Sequence, residues 1–261
     1  NSAISDVKIY PALGNNDMGT IGTIYIQDAQ INQGLVAYPY LETTTTSAKG
    51  DILENTPRID YTGGGAGSLL LEPSRANSVV NSEYNFILSN TIIEYNNAIS
   101  PEGYQNAFKS TATSNSSFTR PANINLTAAS NVSVFLKHGN NSWFNIIYAG
   151  DVNAYFNFNI LTGEFGTNVG SSTSNLKAED YGNGWWRVSA MFDYIGNGSF
   201  RVYMASSGTT GWAQGSVPIG SYFYGYGFQV EQNATYPTSY IPTYGTSQTR
   251  AAVTATNTDM I

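Results

Sequence analysis

Two stretches near opposite ends of this 261-residue chain carry similar residues in the same order. Residues 7–12 (VKIYPA) align with 200–205 (FRVYMA), and 29–33 (AQINQ) with 228–232 (FQVEQ). Tyr38-Pro39 then meets Tyr236-Pro237 after a one-residue slip, and the second copy holds six extra residues between the first two blocks. Self-similarity at this scale means that one supersecondary unit is used twice. Both copies alternate apolar and polar residues, the period of a half-buried strand. Two or three strands cannot bury a face by themselves. Residues 1–47 are therefore expected to be the terminal strands of a preceding module, completed upstream, on the second module or in another subunit. Residues 76–247 are expected to form a complete module. Residues 48–75, with the glycines of 63–67, read as a connector carrying a short buried strand at 69–71, and 248–261 as the start of a following linker.

Helix signals are nearly absent along the rest of the chain; only 82–88 is ambiguous. Strands are predicted at 131–137, with Val132, Val134 and Leu136 on one face, and at 154–160 before a Leu-Thr-Gly turn. In 185–194, Trp186, Val188, Ala190 and Phe192 share one face, and Trp185, Arg187, Ser189 and Met191 the other. In 222–231, Tyr222, Tyr224, Tyr226, Phe228 and Val230 are expected on one face. Gly- and Asn-rich turns separate these runs. Many short strands without helices specify a β-sandwich or barrel.

Apolar residues make up 41% of the chain, enough for a core, whereas charged residues make up only 11%. The net charge is −7 and the 11 basic residues form no run, which excludes a nucleic-acid partner, because phosphate binding needs clustered cations. With no cysteine there is no disulfide, thiolate metal site or Cys nucleophile. No apolar run approaches the roughly 18 residues of a membrane span, so no membrane insertion is expected. There is no signal-peptide pattern at residue 1. A charge-poor, Thr/Asn/Gly-rich chain with 19 Tyr and 12 Phe suits an extracellular or virion β-protein.

Several ordered motifs carry a family resemblance: SLLLEPSRANSV (68–79), AISPEGYQNA (98–107), VSVFLKHG (132–139), AYFNFNILTGEFG (154–166), GNGWWRVSAMF (182–192) and GFQVEQNATYPTSYIPT (227–243). Together, over about 57–250, they resemble a module of bacteriophage tail-fibre and spike proteins and of secreted proteins of marine bacteria. The resemblance implies an all-β, antiparallel, concanavalin A-like jelly-roll sandwich of the kind found in carbohydrate-binding modules. It carries no catalytic or sugar-contacting residue onto this chain.

No catalytic constellation is evident. His138 is the only histidine and lies at a strand end, where a solvated role is expected, since a general base needs placed partners. Glycosidases need two carboxylates flanking one bond. Glu179 and Asp180 are adjacent and would point to opposite faces of a strand, and Glu164 and Asp193 are paired by no pattern. A structural Ca2+ bound through oxygen ligands is compatible with the fold class, with no ligands specified. Sugar binding is the sharper expectation, because sugar C–H faces stack on Trp and Tyr while amides bond the hydroxyls. Trp212 lies in the stretch 209–215 (TTGWAQG), within the six-residue expansion of the second copy and outside the repeated framework, with Gln214 beside it; it either presents a ligand face or folds back over the core. Trp143, next to Asn141, is the second candidate, with a core aromatic as its alternative. The expected partners are a polysaccharide or cell-surface glycan and other copies of the chain. Three functions remain open: a non-enzymatic glycan-binding module, a purely structural spacer using strand exchange, and the binding module of a polysaccharide-degrading enzyme.

Overall fold

The computed structural model describes residues 12–14, 17–18, 25–27, 29–31, 58–60 and 68–253. Two compact units are distinguished, residues 1–32 with 38–48, and residues 33–37 with 49–261. In the first, β1 (Ala12–Gly14) pairs antiparallel with β2 (Asp17–Met18). Residues 29–31 carry no strand and are exposed, whereas their counterparts 228–230 lie in the longest described strand of the second unit. Alternation alone does not supply a ladder neighbour. The other expectations for 1–47, and the hinge at 63–67, fall mostly outside the described residues.

In the second unit, β3 (Arg58–Asp60) pairs with β4 (Ser68–Leu70). This corrects the reading of a buried strand at 69–71, because Leu69 and Leu71 are exposed. β5 (Arg75–Asn77) pairs with β20 (Gln248–Arg250), and β10 (Ile124–Leu126) with β17 (Gly196–Gly198). The stretches read as connector end and following linker are thus held to the sandwich body.

Two six-stranded antiparallel sheets form that body. One contains β7 (Thr91–Ala98), β8 (Ala107–Ala112), β11 (Ser130–His138), β15 (Thr173–Asp180), β16 (Trp185–Phe192) and β19 (Tyr222–Gln232), ordered β15-β16-β11-β19-β8-β7. The other contains β6 (Ile87–Ser89), β9 (Phe118–Arg120), β12 (Trp143–Tyr148), β13 (Tyr155–Asn159), β14 (Glu164–Phe165) and β18 (Phe200–Ala205), ordered β14-β13-β12-β18-β9-β6. No helix occurs among the described residues, and residues 82–84 form bends ahead of β6. The fold is an all-β antiparallel sandwich.

Period-two alternation puts one row of each strand between the sheets. Val132, Val134 and Leu136 of β11 and Val188, Ala190 and Phe192 of β16 meet Phe144, Ile146, Phe156, Phe158 and Val202 of the opposite sheet. Rings cross the gap edge to face, with Phe144–Phe223 centroids 5.2 Å apart and Phe200–Phe228 5.3 Å apart. Burying each such Phe is worth about 2–3 kcal/mol.

The expected single face in β19 is broken by a β-bulge. Phe135 pairs with Tyr226 but Ser133 pairs with Gln229, so Gly227 and Phe228 together oppose Val134. Gly227 takes φ +62°, the left-handed region in which an L side chain is strained. The extra residue flips the alternation. Phe228 and Val230 join the inter-sheet core, while Tyr226 joins a second cluster on the outer face with Phe135, Trp185, Ala107 and Tyr240.

That outer face is covered by the chain returning after β19. The outward residues of 228–232 clamp it: Gln229 Oε1 accepts from Ile241 N (2.7 Å), and Glu231 accepts the N–H (2.9 Å) and hydroxyl of Thr238. Arg187 Nη2 donates to Thr238 O (2.7 Å). Glu72 accepts from Ser239 N (2.6 Å) and pairs with Arg250 at 3.0 Å, both side chains buried. Asn77 Nδ2 donates to Phe228 O (3.1 Å) and Ile241 O (2.9 Å). Buried backbone groups require such partners, and the residues of LEPSRAN, WWRVS and FQVEQ meet that requirement.

Candidate functional site

At one end of the second sheet, Trp143 of β12 pairs with Asn159 of β13 on one side and Ala205 of β18 on the other. Cross-strand partners point to the same side of a sheet. Their neighbours Phe144, Phe158 and Met204 lie in the core, so Trp143, Asn159 and Ala205 face outward. Ala205 leaves room beside the indole. The six-membered ring of Trp143 lies on Gly208, where an added Cβ would come within 2.5 Å of Cη2. Trp143 is half-buried.

The result is an open groove of about 410 Å³, within the range of roughly 300–1,000 Å³ of ligand pockets. Asn140, Asn141, Ser142, Asn159, Thr162 and Ser206 supply its polar lining, and Leu161 and Pro218 its apolar rim. Among the described residues, no charged side chain lines it. Asn140 Oδ1 accepts from Tyr222 N (2.7 Å), which ties the β11–β12 turn to the start of β19. Asn141 is buried and donates from Nδ2 to Trp143 O (2.5 Å), fixing the approach to β12. Asn159 Oδ1 accepts from Leu161 N (3.0 Å), which shapes the Leu-Thr-Gly turn. The groove is therefore a rigid, neutral surface of one indole ring set among amides and hydroxyls.

Trp143 and Asn141 thus come together, whereas Trp212 and Gln214 do not line the groove. The expansion loop folds back over the outer face of the second sheet. Asn157 Nδ2 draws it down through Thr210 O (2.8 Å), and Asn168 Nδ2 bonds Thr209 O (3.2 Å). Trp212 is half-buried, and its indole N–H is enclosed without a partner among the described residues. Gln214 is exposed, with its amide close to Gly211. Asn159, Thr162 and Ser206 were missed from sequence. The Leu-Thr-Gly turn is the only signal near two of them, and the sequence marks it as a turn alone. Trp185 is buried and donates to Ile99 O (3.0 Å), while the Arg187 guanidinium lies over Phe135 at 5.3 Å. Among the described residues, no three Asp, Glu or His side chains gather as a cation site would require. No known family model matches the chain, and no curated protein matches it at a significant level.

Proposed function

We propose that this chain is a non-enzymatic, carbohydrate-binding β-sandwich of a virion or cell surface, which holds a glycan in the groove at Trp143. What supports the reading is the neutral lining around a partly exposed indole: the ring offers a stacking face for sugar C–H groups, and the surrounding amides and hydroxyls match sugar hydroxyls without attracting a charged ligand. The same feature narrows the ligand to a neutral glycan. Screening against neutral and acidic polysaccharides tests it. Binding to a neutral polysaccharide that is lost in Trp143→Ala and kept in Trp212→Ala is the expected result. Absence of binding to any polysaccharide, or full binding by Trp143→Ala, refutes it.

A structural assembly role is the second reading, and the open edge of the sandwich favours it. Among the described residues, β6 and β7 each form one edge of a sheet and follow one another in sequence, exposing Ile87, Leu88, Ile92 and Tyr95. Unpaired edges with apolar side chains are templates for further strands. Sedimentation over a range of concentrations tests self-association; a monomer at every concentration refutes it.

A further inference from the structure

On the outer face of the second sheet, two arginines stand side by side. Thr119 of β9 pairs with Val202 of β18, and both are buried. The next pair in that register is Arg120 with Arg201, which face outward and are half-buried. Like charges directly opposite one another on a ladder are destabilising. An acid beside them would remove that cost, yet the neighbouring places hold none. Ile147 is the other cross-strand partner of Arg201, and Ile87 that of Arg120. Two residues along the strands stand Tyr203 and Phe118. Among the described residues, neither guanidinium forms a salt bridge. Burial, followed by the charge of Arg201, pulls the Arg120 pKa below its usual value, with Tyr203 opposing.

Both guanidiniums are nevertheless held in place. Arg201 lies over the Phe118 ring, 4.7 Å from its centroid, and its Nε donates to Ser199 Oγ (2.9 Å). Arg120 Nη1 donates to Asn123 Oδ1 (2.7 Å) and to Pro121 O (3.1 Å). These partners are neutral, so they fix the position of the charges without cancelling them. Among the described residues, Nη2 of each arginine has no hydrogen-bond partner, and Nε of Arg120 is enclosed without one. A planar guanidinium with N–H groups to spare matches the oxygens of a carboxylate or sulfate. The chain carries a net charge of −7 and repels anions at long range, so contact at this pair is what would hold one.

We propose that Arg120 and Arg201 form a binding site for an oxyanion, a carboxylate or sulfate, bridged between the two guanidiniums. The group is carried on an acidic glycan or arrives as a free small anion. Titration of the full chain with galacturonate, sulfate and uncharged galactose at constant ionic strength, followed by NMR at the Nε–H signals of the two arginines, tests it. Saturable shifts with galacturonate and sulfate are expected, and galactose is expected to give none. Arg120→Gln and Arg201→Gln each weaken galacturonate binding by at least about tenfold, the loss of a charge-assisted hydrogen bond. Arg120→Lys, which keeps the charge without the planar fork, recovers only part of that loss. Trp143→Ala leaves the binding unchanged, which separates this site from the groove, so that either reading can fail alone. Tighter binding of polygalacturonate, per carboxylate, than of galacturonate assigns the group to a glycan; equal affinity assigns it to the free anion. Absence of saturable shifts with both anions, the same shifts with galactose, or unchanged binding by both Gln variants overturns the proposal.

Discussion

Glu83 is 1% exposed and has no salt bridge among the described residues. Burial, followed by the nearby charge of Glu102, raises its pKa from 4.5 to about 7, against opposing hydrogen bonds from Tyr244, Tyr226 and Tyr240. The geometry agrees with this direction. The Tyr226 hydroxyl has one proton and two carboxylate neighbours, and the shorter contact is to Glu102. A protonated Glu83 can donate to Tyr226 in return; an ionised one cannot. Between pH 4.5 and 7 the folded chain therefore holds a proton that the unfolded chain has released. Stability from this group is complete below pH 4.5 and is lost as pH rises through 7. At about 1.4 kcal/mol per pKa unit, the loss is on the order of 3 kcal/mol. Glu83→Gln keeps a hydrogen-bonding side chain that never ionises. The variant is expected to match the wild type near pH 4.5 and to exceed it by about 3 kcal/mol at pH 8.5, a rise in Tm of roughly 6–12 °C for a domain of this size. Urea and thermal melts of both proteins at the two pH values, read by near-ultraviolet circular dichroism, measure the difference directly. A gain that does not change with pH, or a variant less stable at pH 8.5, refutes the assignment of this proton to Glu83.

Two further substitutions probe the frame around the sites. Arg250→Ala removes the ion pair to the buried Glu72 carboxylate and the bond to Ser239 O (2.7 Å), so it is expected to cost about 3–5 kcal/mol in urea unfolding; a cost below about 1 kcal/mol means that residues 248–250 do not hold the returning segment. Gly208→Ala places a methyl group against the Trp143 ring, so the indole must move, with an expected cost of about 1–3 kcal/mol and loss of polysaccharide binding together; unchanged binding separates the groove from the ligand.

The sandwich was legible in the sequence because alternation is a local property. Val132, Val134 and Leu136, and the two faces of 185–192, follow directly from a period of two. The face of β19 was not legible. One residue in the left-handed region at Gly227 reverses every side chain beyond it, and Gly-Tyr-Gly does not announce which glycine bulges. For the groove, Trp143 and Asn141 were marked by type and position, but Asn159 and Ala205 join them only through strand pairing. Trp212 was marked by lying outside the repeat, a criterion that says nothing of where a loop folds. Glu83 and Glu102 meet only because Tyr226, more than 120 residues further along, stands between them.

What the sequence by itself determined is the choice of strands, the split of each into apolar and polar rows, and the lack of any charge pattern suited to nucleic acid. These depend on residue type and on neighbours a few positions away. Tertiary structure alone decided which polar rows became clamps for the returning segment, which tryptophan met a groove, and that Glu83 was buried with no cation partner among the described residues. Those outcomes depend on strand order, register and one bulge, which couple residues 50 to 160 positions apart.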